Sequence, residues 1–341
     1  MKPPALVALE ITRRCNLHCI HCRALAGDRD ASDELSTDEI RRLFDEIASR
    51  TRPIMILTGG EPLMREDVFD IARYGKSLGF HMAAAPNGTL MDAEVARRLK
   101  DAGIERIAIS LDGATADVHD AFRRMPGAFA GAMRGIEAAR EAGLPFQINT
   151  SVTAMNVDEL PAVHELAKRS GAEAHHIFML VRVGRGRELD AEVPPDRQER
   201  VLRWLHDRHR EGLIRVRATC APHYFRILTQ HAAETGTAAV TRGCLAGRRF
   251  VFISATGRVQ PCGYLDVDCG NIRERSFWDI WETSPVFGEL RDDENLKGKC
   301  GLCDYRSVCG GCRARAYAAS GDYLAEEPMC LYQPPGTSHR P

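Results

Sequence analysis

Residues 6–24 read LVALEITRRCNLHCIHCRA, an apolar run that leads directly into three cysteines, Cys15, Cys19 and Cys22, in C-x3-C-x2-C spacing. The run through Thr12 predicts a strand, which puts the cysteines on the loop that leaves its C-terminal end. In parallel α/β folds that end gathers the binding loops. Three thiolates on one tight loop can hold three corners of a cubane iron-sulfur cluster; full protein ligation takes four, so one iron would stay open. The same cysteines with His18 or His21 are also a zinc set. Spacing alone leaves both chemistries standing.

Beyond this loop the chain repeats a strand-then-helix pattern. Ser36 with Glu39 three residues on predicts a capping box at the start of a helix. PIMILT (53–58), FHMAAAP (80–86), RIAISLD (106–112), FQINTSV (146–152) and HHIFMLV (175–181) then read as strands. Amphipathic helical stretches separate them and usually end in glycine. Six βα units imply a parallel sheet with right-handed crossovers, either doubly wound or closed into a full or partial barrel. Past residue 190 the pattern breaks: VPPDRQERVLRWLHDRHREG (193–212) reads as one more helix, and short strands, turns and cysteines follow. The expected division is 1–190 for the repeating α/β part, 191–240 for a helical linker region, 241–333 for a cysteine-rich domain and 334–341 for a disordered tail.

The 341 residues carry a formal net charge of −1, which supplies none of the sustained positive potential used on nucleic acids or anionic membranes. No apolar run reaches membrane-spanning length, and the first residues lack the pattern of a signal peptide. A cytoplasmic protein is expected. In that reducing setting the clustered ones among the twelve cysteines argue for metal ligation over disulfides.

TGGEP (58–62) follows the second strand, PNGT (86–89) the third and SLDG (110–113) the fourth. With the three-cysteine loop, these motifs resemble the radical S-adenosylmethionine (SAM) superfamily. That resemblance implies a partial (β/α)6 TIM-like barrel and a catalytic 4Fe-4S cluster on Cys15, Cys19 and Cys22, whose open iron is chelated by the amino and carboxylate groups of SAM. It also implies that Gly59, Gly60 and Glu61 bind the SAM amino group and that Asn87, Ser110 and Asp112 line the same mouth. Ser110 and Arg123, or its neighbour Arg124, resemble the pair that binds ribose and carboxylate; a guanidinium suits a carboxylate because it donates two parallel hydrogen bonds. Leu180 is expected to meet the adenine through its backbone.

In the second cysteine group, Cys244, Gly257 and Cys262 are spaced C-x12-G-x4-C. Cys300, Cys303, Cys309, Cys312 and Cys330 follow as C-x2-C-x5-C-x2-C-x17-C. The two C-x2-C pairs are compatible with a zinc ribbon. The whole pattern resembles the SPASM extension of radical SAM enzymes, which implies one or two auxiliary 4Fe-4S clusters. Cys300, Cys303, Cys309 and Cys330 would hold one. Cys244, Cys262 and Cys312 would hold most of another, left open or completed by Cys220 or Cys269. The family more often has three residues where Gly310 and Gly311 stand.

Longer runs, among them ATCAPHYFRI (218–227), FISATGRVQPCGYL (252–265) and CGGCRARAYAASGDYLAEEP (309–328), resemble the heme b synthase family of the siroheme-dependent heme pathway. The implied reaction is oxidative decarboxylation of two propionates of iron-coproporphyrin III to vinyl groups. A flavodoxin- or ferredoxin-type donor would supply electrons, and an auxiliary cluster would accept them. Glu61 stands where some of those enzymes have Asp. Candidate contacts to the anionic substrate are His176, Arg182, Arg185, Arg187, His223, Tyr224 and Arg226. His175 and His176 should face opposite sides of their strand. The rival enzymatic readings are a heme d1 pathway enzyme and a SPASM peptide maturase, the latter without a visible peptide-recognition domain ahead of the first strand. A non-catalytic electron-transfer or zinc module would require neither TGGEP nor six βα units.

Overall fold

All six expected strands form in the computed structural model, which describes residues 1–235 and 242–335. They are β1 (Leu6–Glu10), β2 (Ile54–Thr58), β3 (His81–Ala84), β4 (Ile104–Ser110), β5 (Phe146–Val152) and β6 (Ala174–Met179). Between them run helices α1 (Thr37–Ala48), α2 (Val68–Ser77), α3 (Ala93–Asp101), α4 (Ala116–Arg123), α5 (Ala128–Glu141) and α6 (Leu160–Arg169). The Ser36 capping box closes as expected: Ser36 Oγ accepts from Glu39 N at 3.2 Å, and Ser36 N donates to the Glu39 carboxylate at 2.8 Å. Gly79, Gly103, Gly143 and Gly171 reverse the chain after four of these helices at positive φ.

Strand order follows chain order, with every neighbour from β1 to β6 parallel, which gives the partial-barrel α/β architecture. The sheet continues past the sixth strand. After α7 (Pro195–Glu211), β7 (Arg215–Thr219) pairs parallel to β6, and α8 (His223–Thr235) follows. At the other edge, β8 (Phe250–Ile253) pairs parallel to β1, and β9 (Val259–Gln260) turns back antiparallel. The expected limits at 190 and 240 thus fall within one nine-stranded sheet. Residues 236–241 and 336–341, from the expected linker and tail, lie outside the described residues.

Alternation along the strands separates two faces. Val7, Leu9, Met55, Leu57, Met82, Ile107, Ile109, Ile148, Val251 and Ile253 point to the helices and form one continuous core with Phe44, Phe80 and Ile136. Truncating a buried leucine here to alanine costs about 2–5 kcal/mol. Trp278 and Trp281 join this core from the C-terminal region, and Trp278 Nε1 donates to Glu46 O of α1 at 2.7 Å. The opposite face looks into the barrel lumen. Register places Ser110, Asn149, His176 and Arg217 side by side across β4 to β7, so these four share that face.

Candidate functional site

The three-cysteine loop is held from several directions. Cys15 N donates to Gly27 O at 2.9 Å, Ile20 N to Phe122 O at 2.9 Å, and Arg185 N to Cys22 O at 3.0 Å. TGGEP lies directly against the root of the loop: Gly60 N donates to Thr12 O and Glu61 N to Arg14 O, both at 2.8 Å. A Cβ on Gly59 would stand 2.5 Å from Thr12 O, and one on Gly60 only 2.3 Å from Arg14 O. Both glycines are therefore required by the close approach of two backbones.

Glu61 is fully buried and accepts from Asn87 N at 2.6 Å and Leu63 N at 3.0 Å. Burial outweighs these donors and pushes its carboxyl up to about 7. The side chain of Asn87 reaches back to the loop, with Nδ2 donating to Asn16 Oδ1 at 2.8 Å. Behind the thiols, Arg123 pairs with Asp112, and its Nη1 lies 3.5 Å from Cys19 Sγ. Burial works against charge on Asp112, yet Arg123, His21 and His119 hold its carboxyl below the ordinary value. Arg123 is buried while its neighbour Arg124 is exposed, so Arg123 is the one that stands at the cysteine loop. Leu180 N donates to Val152 O and its carbonyl accepts from Arg315, so an adenine would share that carbonyl.

The expected substrate residues separate. Of the two adjacent histidines, His175 packs outward against His164, and His176 faces the lumen beside Gln147. Arg185 does not reach into the lumen as a free cation: its Nε and Nη1 donate to Cys19 O and Ala26 O at 2.8 and 2.9 Å and staple the cysteine loop. Arg182 and Arg187 are exposed, and Arg182 donates to Arg187 O. Tyr224 packs into the apolar cluster formed with Val152, Ile177 and Leu205. Arg226 pairs with Glu199 and borders the second cysteine group. His223 is buried without a hydrogen-bond partner on either ring nitrogen, and burial lowers it to about 4.

The later cysteines sort into two sets. Cys300, Cys303, Cys309 and Cys330 line one cavity together with Glu327. Gly311 N points at Cys309 Sγ from 3.4 Å and Glu327 N at Cys300 Sγ from 3.3 Å. Cys262 and Cys312 meet in a separate apolar cluster, and Cys244 lies within electrostatic reach of both. The two-residue step between Cys309 and Cys312 works because Gly310 and Gly311 both take positive φ, turning the chain so that the flanking thiols serve different sets.

Among the described residues no three His, Cys, Asp or Glu side chains are already gathered around a metal position. The donor set and its surroundings fit clusters all the same. All twelve cysteines are unpaired, and backbone N–H groups point at Cys15, Cys262, Cys300 and Cys309 sulfurs. Burial pushes the Cys15 and Cys262 thiols up to about 12, so a bound metal is what would keep them as thiolates.

Three residues that the sequence reading did not single out carry weight here. Arg23, next to Cys22, lies over the Phe252 ring at 4.4 Å and near Glu10, bridging the cysteine loop to β8. Arg315 and Glu327 form a buried pair between the two later cysteine sets. Adjacency to Cys22 was the available signal for Arg23; the Arg315–Glu327 pair offered none.

Comparison with known proteins agrees with this layout. The Radical SAM superfamily model matches residues 9–167, and the SPASM model, an iron-sulfur cluster-binding domain, matches residues 244–312. The AdoMet-dependent heme synthase of Methanosarcina barkeri is 52% identical over 340 residues, covering 97% of each chain. That of Oleidesulfovibrio alaskensis is 47% identical, covering 96% of this chain and 87% of its own. Among solved structures, Streptococcus suis SuiB bound to S-adenosylmethionine aligns with a TM-score of 0.78 at 15% identity, over 96% of this chain and 77% of that one. The chain therefore belongs to the radical SAM enzymes with a SPASM extension, alongside the AdoMet-dependent heme synthases, and uses SAM, a catalytic 4Fe-4S cluster and auxiliary iron-sulfur clusters.

Proposed function

We propose that this enzyme converts two propionate side chains of iron-coproporphyrin III to vinyl groups and so makes heme b. Cys15, Cys19 and Cys22 would hold the catalytic cluster, with Gly59, Gly60, Glu61, Asn87, Ser110, Asp112, Arg123 and Leu180 around SAM. Bound there, cluster and SAM supply a 5'-deoxyadenosyl radical. Each propionate then loses a hydrogen atom from the ring-adjacent carbon, followed by carbon dioxide and one electron, which leaves the vinyl group.

The observation that carries this reading is the lumen row Ser110, Asn149, His176 and Arg217, which crosses β4 to β7 and ends in a guanidinium. Burial, reinforced by Arg217, Arg106 and Arg215, lowers His176 to about 4 and keeps it neutral. With Gln147 Nε2 donating to its Nδ1 across 3.1 Å, the ring proton sits on Nε2, free for a carboxylate. Such a wall suits an anionic tetrapyrrole, and the relatives' names point the same way. The proposed reaction would draw electrons from a donor of flavodoxin or ferredoxin type, and twelve unpaired thiols fit a cytoplasmic setting. Among the described residues no helix is long and apolar enough to cross a membrane.

The test is anaerobic turnover with iron-coproporphyrin III, SAM and reductant, followed by mass analysis. Two successive products are expected, each lighter by one carbon dioxide and two hydrogens. Deuterium placed on the ring-adjacent propionate carbon should pass into 5'-deoxyadenosine. Unchanged porphyrin, or label arriving only from the carbon next to the carboxylate, would overturn the reading.

A further inference from the structure

We propose that Cys220 is the fourth thiolate of the auxiliary site formed by Cys244, Cys262 and Cys312. The proposal rests on the SPASM assignment and is independent of the substrate.

Cys220 lies on the turn between β7 and α8, ahead of the segment that the iron-sulfur domain model matches. Its backbone takes φ +56°, a left-handed conformation shared among the described non-glycine residues only with Leu25 and Arg124. The Cys220 thiol lies within interaction range of Cys312 and joins Cys312, Cys262 and Tyr264 in one cluster. The carbonyl of Cys220 accepts from Arg315 Nη2 at 2.7 Å, which fixes the turn from behind.

The remaining member is brought in by backbone contact. Gly243, just before Cys244, is so close to the turn that a Cβ would stand 2.9 Å from Pro222 Cα and 2.8 Å from Cys309 O. Cys244 N in turn donates to Cys309 O at 3.1 Å. Cys269 offers no alternative. It sits in the main core with Trp278 and Trp281, its sulfur 3.9 Å from Val267 O.

Four thiolates complete the ligation of a 4Fe-4S cluster. No iron of that site would then be open to substrate, which confines it to electron transfer.

The test uses the full chain, reconstituted anaerobically, with Cys15, Cys19 and Cys22 changed to Ala so that the remaining iron is auxiliary. Into this parent go Cys220→Ala, Cys220→Gly, which relaxes the positive φ, and Cys269→Ala. Both Cys220 variants should lose the iron and sulfide of one site, or show the EPR signal of a three-iron cluster on oxidation. Cys269→Ala should match the parent. Cyanide added to the reduced parent should leave its spectrum unchanged, because no iron is open. Parental iron content and spectra in both Cys220 variants, or a cyanide-induced shift in the parent, would overturn the proposal. If Cys244→Ala also left iron content unchanged, the fault would lie with the cluster assignment at this set and not with Cys220.

Discussion

Arg315 and Glu327 pair at 3.1 Å with side chains only 2% and 1% exposed, at the junction of the barrel and both auxiliary cysteine sets. Arg315 Nη2 also donates to Leu180 O at the exit of β6 and to Cys220 O on the β7–α8 turn. Glu327 accepts from Cys312 N at 2.7 Å, and its own N–H lies 3.3 Å from Cys300 Sγ. Burial disfavours charge on Glu327, but Arg315 and then His223 outweigh it and hold the carboxyl below its ordinary value. One ion pair thus sets the positions of two thiol groups relative to the barrel.

Replacing Arg315 with Met should leave Glu327 buried without its partner, at a cost of roughly 3–5 kcal/mol. Both auxiliary sites should lose iron together. The control is Arg273→Met, which breaks an ion pair with Glu39 whose side chains are 37% and 22% exposed, at about 0–1 kcal/mol. Anaerobic denaturant melts and iron analysis read both. Equal stability of the two variants would refute the central role given to Arg315.

Gly60→Ala should abolish SAM cleavage while leaving auxiliary iron in place. The new methyl would lie 2.3 Å from Arg14 O, and a backbone carbonyl held by Glu61 N cannot step aside without moving the cysteine loop. Gly288→Ala, where a Cβ meets nothing within 4 Å, is the matched control. Normal production of 5'-deoxyadenosine by Gly60→Ala would contradict the close-approach reading.

Glu61 gives a pH prediction with a definite sign. Its folded carboxyl titrates at about 7 against an ordinary 4.5. Between those values the unfolded chain binds fewer protons than the folded one, so stability falls as pH rises. The effect reaches roughly 3 kcal/mol, fully present below pH 4.5 and lost through pH 7. In the metal-free protein, the difference in stability between wild type and Glu61→Gln should shift by this amount against wild type from pH 5 to 8. A difference that stays flat would show that Glu61 is not held neutral by burial.

The parts legible in sequence were those whose signal is local. Strand alternation and the Ser36/Glu39 capping box each act within a few residues, and each formed as read, whereas the need for glycine in TGGEP comes from the distant backbone of Thr12 and Arg14. The cations were not legible, because a guanidinium's partner is a tertiary fact. Arg185 is taken by carbonyls of the cysteine loop 159 to 166 residues away, and Arg226 by Glu199 across a helix pair. Arg217, which ends the lumen row, shows its face only through the register of β7 on β6. The choice between Cys220 and Cys269 was open for the same reason: both are isolated in sequence, and only packing separates a thiol beside Cys312 from one in the tryptophan core.

Cys309→Ala should uncouple radical formation from product formation. Cys309 lines the cavity shared with Cys300, Cys303 and Cys330, and no residue lining that cavity comes from the cysteine loop or the lumen row. SAM cleavage draws on the loop, so it should survive. In the proposed reaction, release of carbon dioxide from the substrate radical would leave one electron to be removed, and damage to the acceptor would stall that step. The expected signature, in a variant shown by melting to remain folded, is 5'-deoxyadenosine in several-fold excess over vinyl product, with the excess growing over repeated turnover. Cys303→Ala should behave alike, because it removes a ligand from the same cavity. Equal loss of both products in the two variants would mean that this site supports SAM cleavage itself, and the electron-acceptor role would have to be given up.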